Sequence, residues 1–429
     1  KVMHPLMGKP LVSYALSAVQ PVCSTKPVIV VGHGADLVRD FVGDNANFAL
    51  QEKQLGTGHA VLSAKDSVSG DVDTILVTFA DMPLITADTI KHLLAWHSQT
   101  KPVLTMTSII GRVPRGFGRI VRDADNKVAA IVEEAVATPE QLAIREYNLS
   151  VYCFDAKWLW RTLPKIQRSP KGEYYLTDLV EIAVGEGKAI QSLIVDDPSE
   201  GLGINTRVHL AEAAEVLRRR INEKLMLSGV TLIDPATTYI DADVKIGQDT
   251  VIFPNTTISG NTSIGSDCEI GPNTVIRDTV IGDACNLLAS HCESALIENN
   301  VSMGPYCHLR KGAHLANGVH MGNFGEVKDS YLGQGTKMGH FSYIGNAKIG
   351  QNVNIGAGTI TCNYDGEHKH LTEIGENAFI GSDTMLVAPV KIGKNARTGA
   401  GSVVTKDVED NTLVVGVPAR IISRTEKSG

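Results

Sequence analysis

Aromatic side chains are scarce in this sequence, at 5% of 429 residues, although hydrophobic residues as a whole reach 43%. That balance suits a narrow interior of stacked aliphatic side chains better than one broad core built on rings. A basic excess is also missing, since 40 Lys and Arg stand against 47 Asp and Glu, a formal net charge of −7. No general nucleic-acid binder is expected from that charge. There is no apolar run long enough to cross a bilayer and no signal-peptide pattern, so no membrane span and a cytoplasmic location are expected. The seven cysteines (Cys23, Cys153, Cys268, Cys285, Cys292, Cys307 and Cys362) form no C-x-x-C pair. They read as reduced thiols rather than a disulfide frame or a zinc site. The length makes two domains the starting expectation.

Repetition is what the chain has in abundance. An aliphatic residue returns every six positions at Ile246, Ile252, Ile258, Ile264, Ile270 and Ile276. The register slips by one, resumes through Leu309, Leu315, Met321 and Val327, and returns through Ile374, Ile380, Leu386, Ile392, Thr398 and Val404. A hexapeptide period of this kind predicts a parallel β-helix, three hexads to a triangular coil. The aliphatic residue i points inward, and so does a small residue at i+4: Thr250, Thr256, Thr262, Cys268, Thr274 and Val280. Glycine often follows the aliphatic residue, where the chain turns a corner. Two stretches break the rhythm, roughly Asp283–Pro305 and Thr361–Thr372 (TCNYDGEHKHLT). The second is too polar to stack, and loops expelled from solenoids often carry function.

Residues 1–205 read differently. Short β-branched runs at Pro27–Gly32 and Thr74–Phe79 look like buried parallel strands, and helical patterns such as Thr86–Trp96 lie between them. Such alternation predicts a doubly wound α/β sheet with ligands at the carboxyl ends of strands. Arg207–Leu227 holds no Gly or Pro and reads as one helical connector. The expected division is therefore 1–205, 206–227 and 228–429.

The period also identifies free side chains. Position i+2 faces outward at a corner, and it is occupied by Asn323, His340, Ala357, Ser382 and Ala400. A corner histidine is either a plain surface residue or a general base, since imidazole with its ordinary pKa of about 6.5 suits proton removal from an amine. His308, His314 and His320 recur every six residues, but that step sends each to a different face, so they would meet at a metal only through an unusual interface.

At these residues a family resemblance becomes close. Gly322–Lys328 (GNFGEVK), Gly339–Gly345 (GHFSYIG), Asn352–Thr359 (NVNIGAGT) and Thr361–Gly366 (TCNYDG) resemble the acetyltransferase half of the bacterial bifunctional GlmU family. Gln54–Ala60 (QLGTGHA), Phe79–Leu84 (FADMPL), Gly116–Ile120 (GFGRI), Gly172–Asp178 (GEYYLTD) and Gly203–Arg207 (GINTR) resemble its uridylyltransferase half. The resemblance implies an α/β, Rossmann-like nucleotidyltransferase domain, a helical linker and a left-handed β-helix. It implies acetyl transfer from acetyl-CoA to glucosamine 1-phosphate, then coupling of N-acetylglucosamine 1-phosphate to UTP with Mg²⁺. A homotrimer with active sites between subunits is expected with it.

The same resemblance implies roles. His340 would remove the amine proton, Arg310 and Lys328 would hold the sugar phosphate, and Tyr343 and Asn354 would fix the ring. Asn363 and Tyr364 would line the acetyl site. Ala357, Ser382 and Ala400 would border the acetyl-CoA groove, with Ser382 placed to polarise the thioester carbonyl. In the other half Asp81 and Asn205 would hold Mg²⁺. Gln51, Gly56 and Thr57 would read uracil, Phe79 and Ala80 would sit with Asp81 at the substrate, and Gly118, Glu133 and Asn148 would contact the sugar. Lys1 matches a phosphate-contacting lysine.

Departures temper these expectations. The family's glycine-rich L-A-A-G-x-G-T-R-M opening is not among these residues, so a segment ahead of Lys1 is expected and the chain as written should bind UTP weakly. Ala80 replaces a common glycine. Asn148-Leu149-Ser150 stands where Asn-Thr-Gly or Asn-Ser-Gly is usual, and Leu149 and Ser150 are expected to crowd the sugar pocket. Val415–Arg420 lacks an arginine in the usual register for CoA, and Arg420 is the candidate substitute. Two other readings remain: a different sugar-phosphate nucleotidylyltransferase with a regulatory β-helix, and a non-enzymatic β-helix assembly module.

Overall fold

The computed structural model describes residues 1–68, 70–111, 116–134 and 137–424. The last five residues of the expected 228–429 domain lie outside it. Two compact units, Lys1–Leu217 and Arg218–Gly429, divide within the 21-residue helix Arg207–Leu227. Its opening turn is capped by Thr206, whose hydroxyl accepts from the His209 amide at 3.1 Å. Among the described residues, no helix is long and apolar enough to cross a membrane.

In the first unit, the expected strands form at Val28–Val31 and Thr74–Val77, and the helix at Ala87–Thr100 with Thr86 as its N-cap. Val28–Val31 pairs parallel with Asn47–Leu50. The larger sheet corrects the expectation of buried parallel strands, because it is mixed. Its longest strand, Glu146–Asp155, runs antiparallel to Leu104–Ile110, to Thr74–Val77 and to Arg119–Arg122. An apolar run reports burial on both faces, not direction, so Thr74–Val77 read as parallel while pairing the other way. Between the strands Val28–Val31 and Thr74–Val77 lies a slot of about 650 Å³, lined by Val12, Leu16, Ile29, Val61, Ile75 and Val77.

The second unit is a prism of three ladders with 12, 10 and 9 strands. Successive coils pair parallel in register, Ile240 against Ile258 and Ile252 against Ile270, so the aliphatic column is continuous. Ile252, Ile258, Ile270, Ile276, Leu309, Leu315 and Val327 are all fully buried. The small inward column holds as well, through Thr250, Thr256, Thr262, Cys268 and Thr274. Val280 is the exception, 47% exposed, and Thr279 is buried in its place. The hexad opening at Ile276 is one residue short, so the next aliphatic residue is Ile281 and the inward small position moves back to Thr279.

The same shortening explains the first apparent break. Asp283–Pro305 is not expelled from the stack. It contributes strands at Asn286–Leu287, His291–Glu293, Leu296–Ile297 and Ser302–Met303, with Leu287, Cys292, Ile297 and Met303 buried in the column. Shortened hexads hid the period there. The corners are turned by Asn and Asp at left-handed φ, as at Asp249 (61°), Asn255 (58°), Asp267 (57°) and Asn273 (54°), the non-glycine types that tolerate it best.

Candidate functional site

His340 is exposed at a corner, two residues after the buried Met338. Its neighbours along that corner are the other i+2 residues. The strands before them stack in one ladder: His320–Met321, Lys337–Met338, Asn354–Ile355, Phe379–Ile380 and Arg397–Thr398. Backbone bonds tie the corners together, from Gly358 N to Phe341 O (2.7 Å), Asp383 N to Ala357 O (2.6 Å) and Gly401 N to Ser382 O (2.8 Å). Asn323, His340, Ala357, Ser382 and Ala400 therefore form one edge of the prism.

The corner of His340 is tightly set. A Cβ added at Gly322 would fall on the Gly339 carbonyl of the next coil. Gly322→Ala is expected to destabilise the second unit by about 1–3 kcal/mol through overpacking and to shift His340. Far-UV circular dichroism during urea unfolding, with an acetyl-transfer assay beside it, checks both effects.

The ten-stranded face runs from this edge to a cluster of cations. Arg310 and Lys328 follow the buried Leu309 and Val327 on adjacent coils, joined by a 2.9 Å bond from Arg310 N to Val327 O. Arg310 is paired with Glu326 at 3.0 Å. Lys328 faces Lys369 and Arg310, and these like charges hold its ammonium below the ordinary lysine value, Lys369 most strongly. Lys369 belongs to the expelled loop. That loop folds back as a hairpin, with Tyr364 bridging Lys369 and His370 N bonded to Asn363 O at 2.7 Å. Asp365 braces it by accepting from the amides of His368 (2.7 Å) and Glu367 (2.8 Å) and by pairing with His370 at 2.6 Å, which holds its carboxyl far below the usual range.

Tyr343 lies on the face between the two edges. Its hydroxyl and the Asn363 amide both sit over Gly345, where a side chain would collide with them. Asn363 is buried and bonded to Asn346 at 2.7 Å, whereas Tyr364 is 60% exposed. Asn354 stands across the corner from Tyr343, on the twelve-stranded ladder beside Lys337. One chain thus gathers Arg310, Lys328, Tyr343, Asn363 and Lys369 on one face and places Asn354 around the edge from them. Arg420 is exposed in the final strand, which pairs antiparallel with Thr412–Val415 at the end of the twelve-stranded ladder. His308, His314 and His320 fall on three different ladders, as the six-residue step dictates.

In the first unit Lys1 Nζ lies 2.6 Å from both Asp81 Oδ2 and Asn205 Oδ1. The Asp81 carbonyl accepts from Ile204 N at 2.9 Å, which locks the two segments together. Two hard oxygens therefore converge on one cationic atom, a donor pair that fits a divalent ion completed by water. Phe79 and Ala80 precede Asp81 as partly buried residues packed against the cores, with the Phe79 carbonyl accepting from Met82 N at 3.2 Å.

The segment expected to read the base is organised around Tyr174–Leu176. The Leu176 amide donates to Thr57 Oγ1 at 2.9 Å, and a side chain at Gly56 (φ 98°) would strike the Tyr174 backbone. Gln51 is buried, and its Nε2 reaches Gly56 O at 3.1 Å and His59 Nδ1 at 2.9 Å. Gly118 accepts from Asn148 N at 2.9 Å. Glu133 is pushed up by burial, and Asp178 beside it is raised to about 6 by burial, then by Glu181 and Glu133. Asn148 is buried and donates to the Tyr152 hydroxyl at 2.7 Å.

Leu149 corrects the crowding expectation. It is fully buried in a core with Ile109 and Val151, pointing away from Asn148 on the alternating strand. Ser150 stands at φ 61°, a left-handed conformation that glycine takes without strain. Ser150→Gly is expected to stabilise the first unit by about 0.5–1 kcal/mol. All three tryptophans, Trp96, Trp158 and Trp160, lie in that unit, so the urea midpoint of their fluorescence measures it.

Two residues that face these groups were not anticipated: Lys369 beside Lys328, and His59 beside Gln51. Only the basic tint of the expelled EHKH segment hinted at the first.

A nucleotidyltransferase-like α/β unit followed by a hexapeptide-repeat prism with a histidine edge defines a two-headed transferase. Residues 1–146 match the MobA-like NTP transferase domain family, and residues 243–278 and 371–406 match the bacterial transferase hexapeptide (six repeats) family. The chain is 46% identical over 419 residues to the bifunctional protein GlmU of Trichlorobacter lovleyi, covering 97% of this chain and 91% of that one. GlmU proteins of a Geobacillus species (45% over 416 residues) and of Streptococcus agalactiae (43% over 417 residues) align over the same shares. The chain belongs to the GlmU family, and its second unit is a left-handed parallel β-helix of hexapeptide repeats.

Proposed function

We propose that this chain makes UDP-N-acetylglucosamine in two steps, with residues 228–429 acetylating glucosamine 1-phosphate, residues 1–205 coupling the product to UTP, and 206–227 linking them. The observation that carries this reading is the cation cluster of Arg310, Lys328 and Lys369. Mutual repulsion depresses Lys328, and a phosphate dianion relieves it. The cluster and the His340 corner flank a single four-residue strand, Ser342–Gly345, roughly 10 Å of backbone. A sugar phosphate laid across it has its phosphate at the cations, its ring at Tyr343 and its amine toward His340. Asn354 supports the ring from around the edge.

In the acetyl step the amine nitrogen attacks the thioester carbonyl carbon of acetyl-CoA. A C–N bond forms, His340 takes the nitrogen's proton, the C–S bond breaks, and the proton passes to the departing CoA sulfur. Ala357, Ser382 and Ala400 form the small-residue wall of the acetyl-CoA groove, with Asn363 and Tyr364 at the acetyl end. Tyr306, Phe324 and Phe341 are 63%, 57% and 56% exposed, and the first two stack at 5.3 Å. This aromatic ridge beside the histidine edge supports assembly as a homotrimer with the site at the interface.

In the uridylyl step a sugar-phosphate oxygen attacks the α-phosphorus of UTP and pyrophosphate leaves. Asp81 and Asn205 would hold a divalent cation, Mg²⁺, in place of the Lys1 ammonium that now contacts both, and when bound it would supply charge neutralisation on the triphosphate. Lys1 contacts phosphate, Gln51, Gly56 and Thr57 take the uracil, and Gly118, Glu133 and Asn148 take the sugar beside Phe79 and Ala80. Two assays test the reading on the whole chain: CoA release with glucosamine 1-phosphate, and pyrophosphate release from UTP with N-acetylglucosamine 1-phosphate. Absence of CoA release from the folded chain sinks the acetyl reading and favours an assembly module.

A further inference from the structure

Gln51 sits at the carboxyl end of strand Asn47–Leu50, and His59 lies in the first turn of helix Thr57–Ser63. The Gln51 amide nitrogen is 3.1 Å from the Gly56 carbonyl. A carbonyl oxygen only accepts, so the group facing it must be the NH₂ end of the amide. That end has one further hydrogen, and it points at His59 Nδ1, 2.9 Å away. An NH₂ group only donates, so Nδ1 must be bare and the ring proton must sit on Nε2. The ring is held in place by Tyr174, whose centroid is 6.4 Å away at an interplanar angle of 27°.

Both Gln51 donors are thereby spent within the protein. Only Oε1 is left for a ligand, and among the described residues no donor reaches it. We propose that His59, as the neutral Nε2–H tautomer, is a positioning residue that locks the Gln51 amide so that it offers a nucleobase an acceptor alone. The lock selects the ring N–H of a uracil-type imide. The unprotonated ring nitrogen of cytosine would set acceptor against acceptor. This specificity role rests on the proposed reading of Gln51 as the base contact.

Without the Nδ1 acceptor, as in His59→Ala, the amide is free to turn and present either end. The preference for UTP over CTP is then expected to fall by roughly tenfold or more, mostly in KM, with kcat for UTP little changed. Asparagine can place an oxygen near the Nδ1 position, so His59→Asn should restore most of the preference. Binding of UTP and CTP is measured by calorimetry with Mg²⁺ on the full chain, beside turnover. A second measurement needs no nucleotide: ¹⁵N-histidine spectra, with the His59 signals assigned by their loss in His59→Asn, should show Nδ1 unprotonated and Nε2 protonated. A proton on Nδ1 overturns the lock. So does a UTP-to-CTP ratio that is the same in His59→Ala as in the parent. If the parent binds neither nucleotide, the uridylyl reading fails and the selectivity role falls with it. The tautomer spectrum then still decides whether the amide is locked.

Discussion

Replacing His340 by alanine is expected to lower kcat for acetyl transfer by about two orders of magnitude or more, the usual reach of a positioned general base. An amino sugar attacks as its free amine, the ammonium having first given one proton to solvent, and as the C–N bond forms the nitrogen must shed a further proton. Among the corner residues Asn323, His340, Ala357, Ser382 and Ala400, only His340 can take one near neutral pH. Its exposed position makes the experiment clean. The ring packs in no core cluster, and the column beneath it is filled by Met338, so unfolding should scarcely change. The KM for glucosamine 1-phosphate should also hold, because the proposed phosphate anchor of Arg310, Lys328 and Lys369 lies at the far edge of the face. A fall in kcat below tenfold, or a fall matched by loss of the fold, defeats the assignment.

How far the sequence reveals these sites follows from which physical signals are local. The hexad is local, and burial of Ile252, Ile258 and Ile270 with exposure of His340 follows from its phase. Where hexads lose a residue, as between Ile276 and Ile281, the phase shifts, so a fixed six-residue count places Val280 inward and Asp283–Pro305 outside the stack. Strand direction is not local, so the antiparallel pairing of Thr74–Val77 with Glu146–Asp155 needed the structure. Long-range pairs were equally hidden. Lys1, Asp81 and Asn205 span nearly half the chain; the family resemblance pairs Asp81 with Asn205 and gives Lys1 a separate phosphate role, and only the fold brings the Lys1 ammonium onto both oxygens. Lys369 lay beyond both signals, because a hairpin expelled from the period carries no phase.

That hairpin lysine leads to the second large effect. Arg310, Lys328 and Lys369 crowd three positive charges together; Glu326 pairs with Arg310, and Asp329 offsets the repulsion at Lys328 only in part. Such crowding is unfavourable in the free protein and becomes favourable only when a dianion arrives. Lys328→Ala should therefore raise KM for glucosamine 1-phosphate by roughly tenfold to a hundredfold with little change in kcat, the range for losing a hydrogen bond to a charged group. Lys369→Ala should act in the same direction but less strongly, since its removal also relieves Lys328. The double variant should then fall short of the sum of the two in free energy, as expected for charges that share one ligand. The repulsion makes a further demand. Because like charges lower the proton affinity of Lys328 and phosphate raises it, binding should take up protons in the alkaline range, and calorimetry in buffers of different ionisation enthalpy measures that uptake. The uptake should vanish in Lys328→Ala. An unchanged KM in both single variants would mean that the sugar phosphate binds elsewhere, and the orientation that directs its amine toward His340 would have to be abandoned.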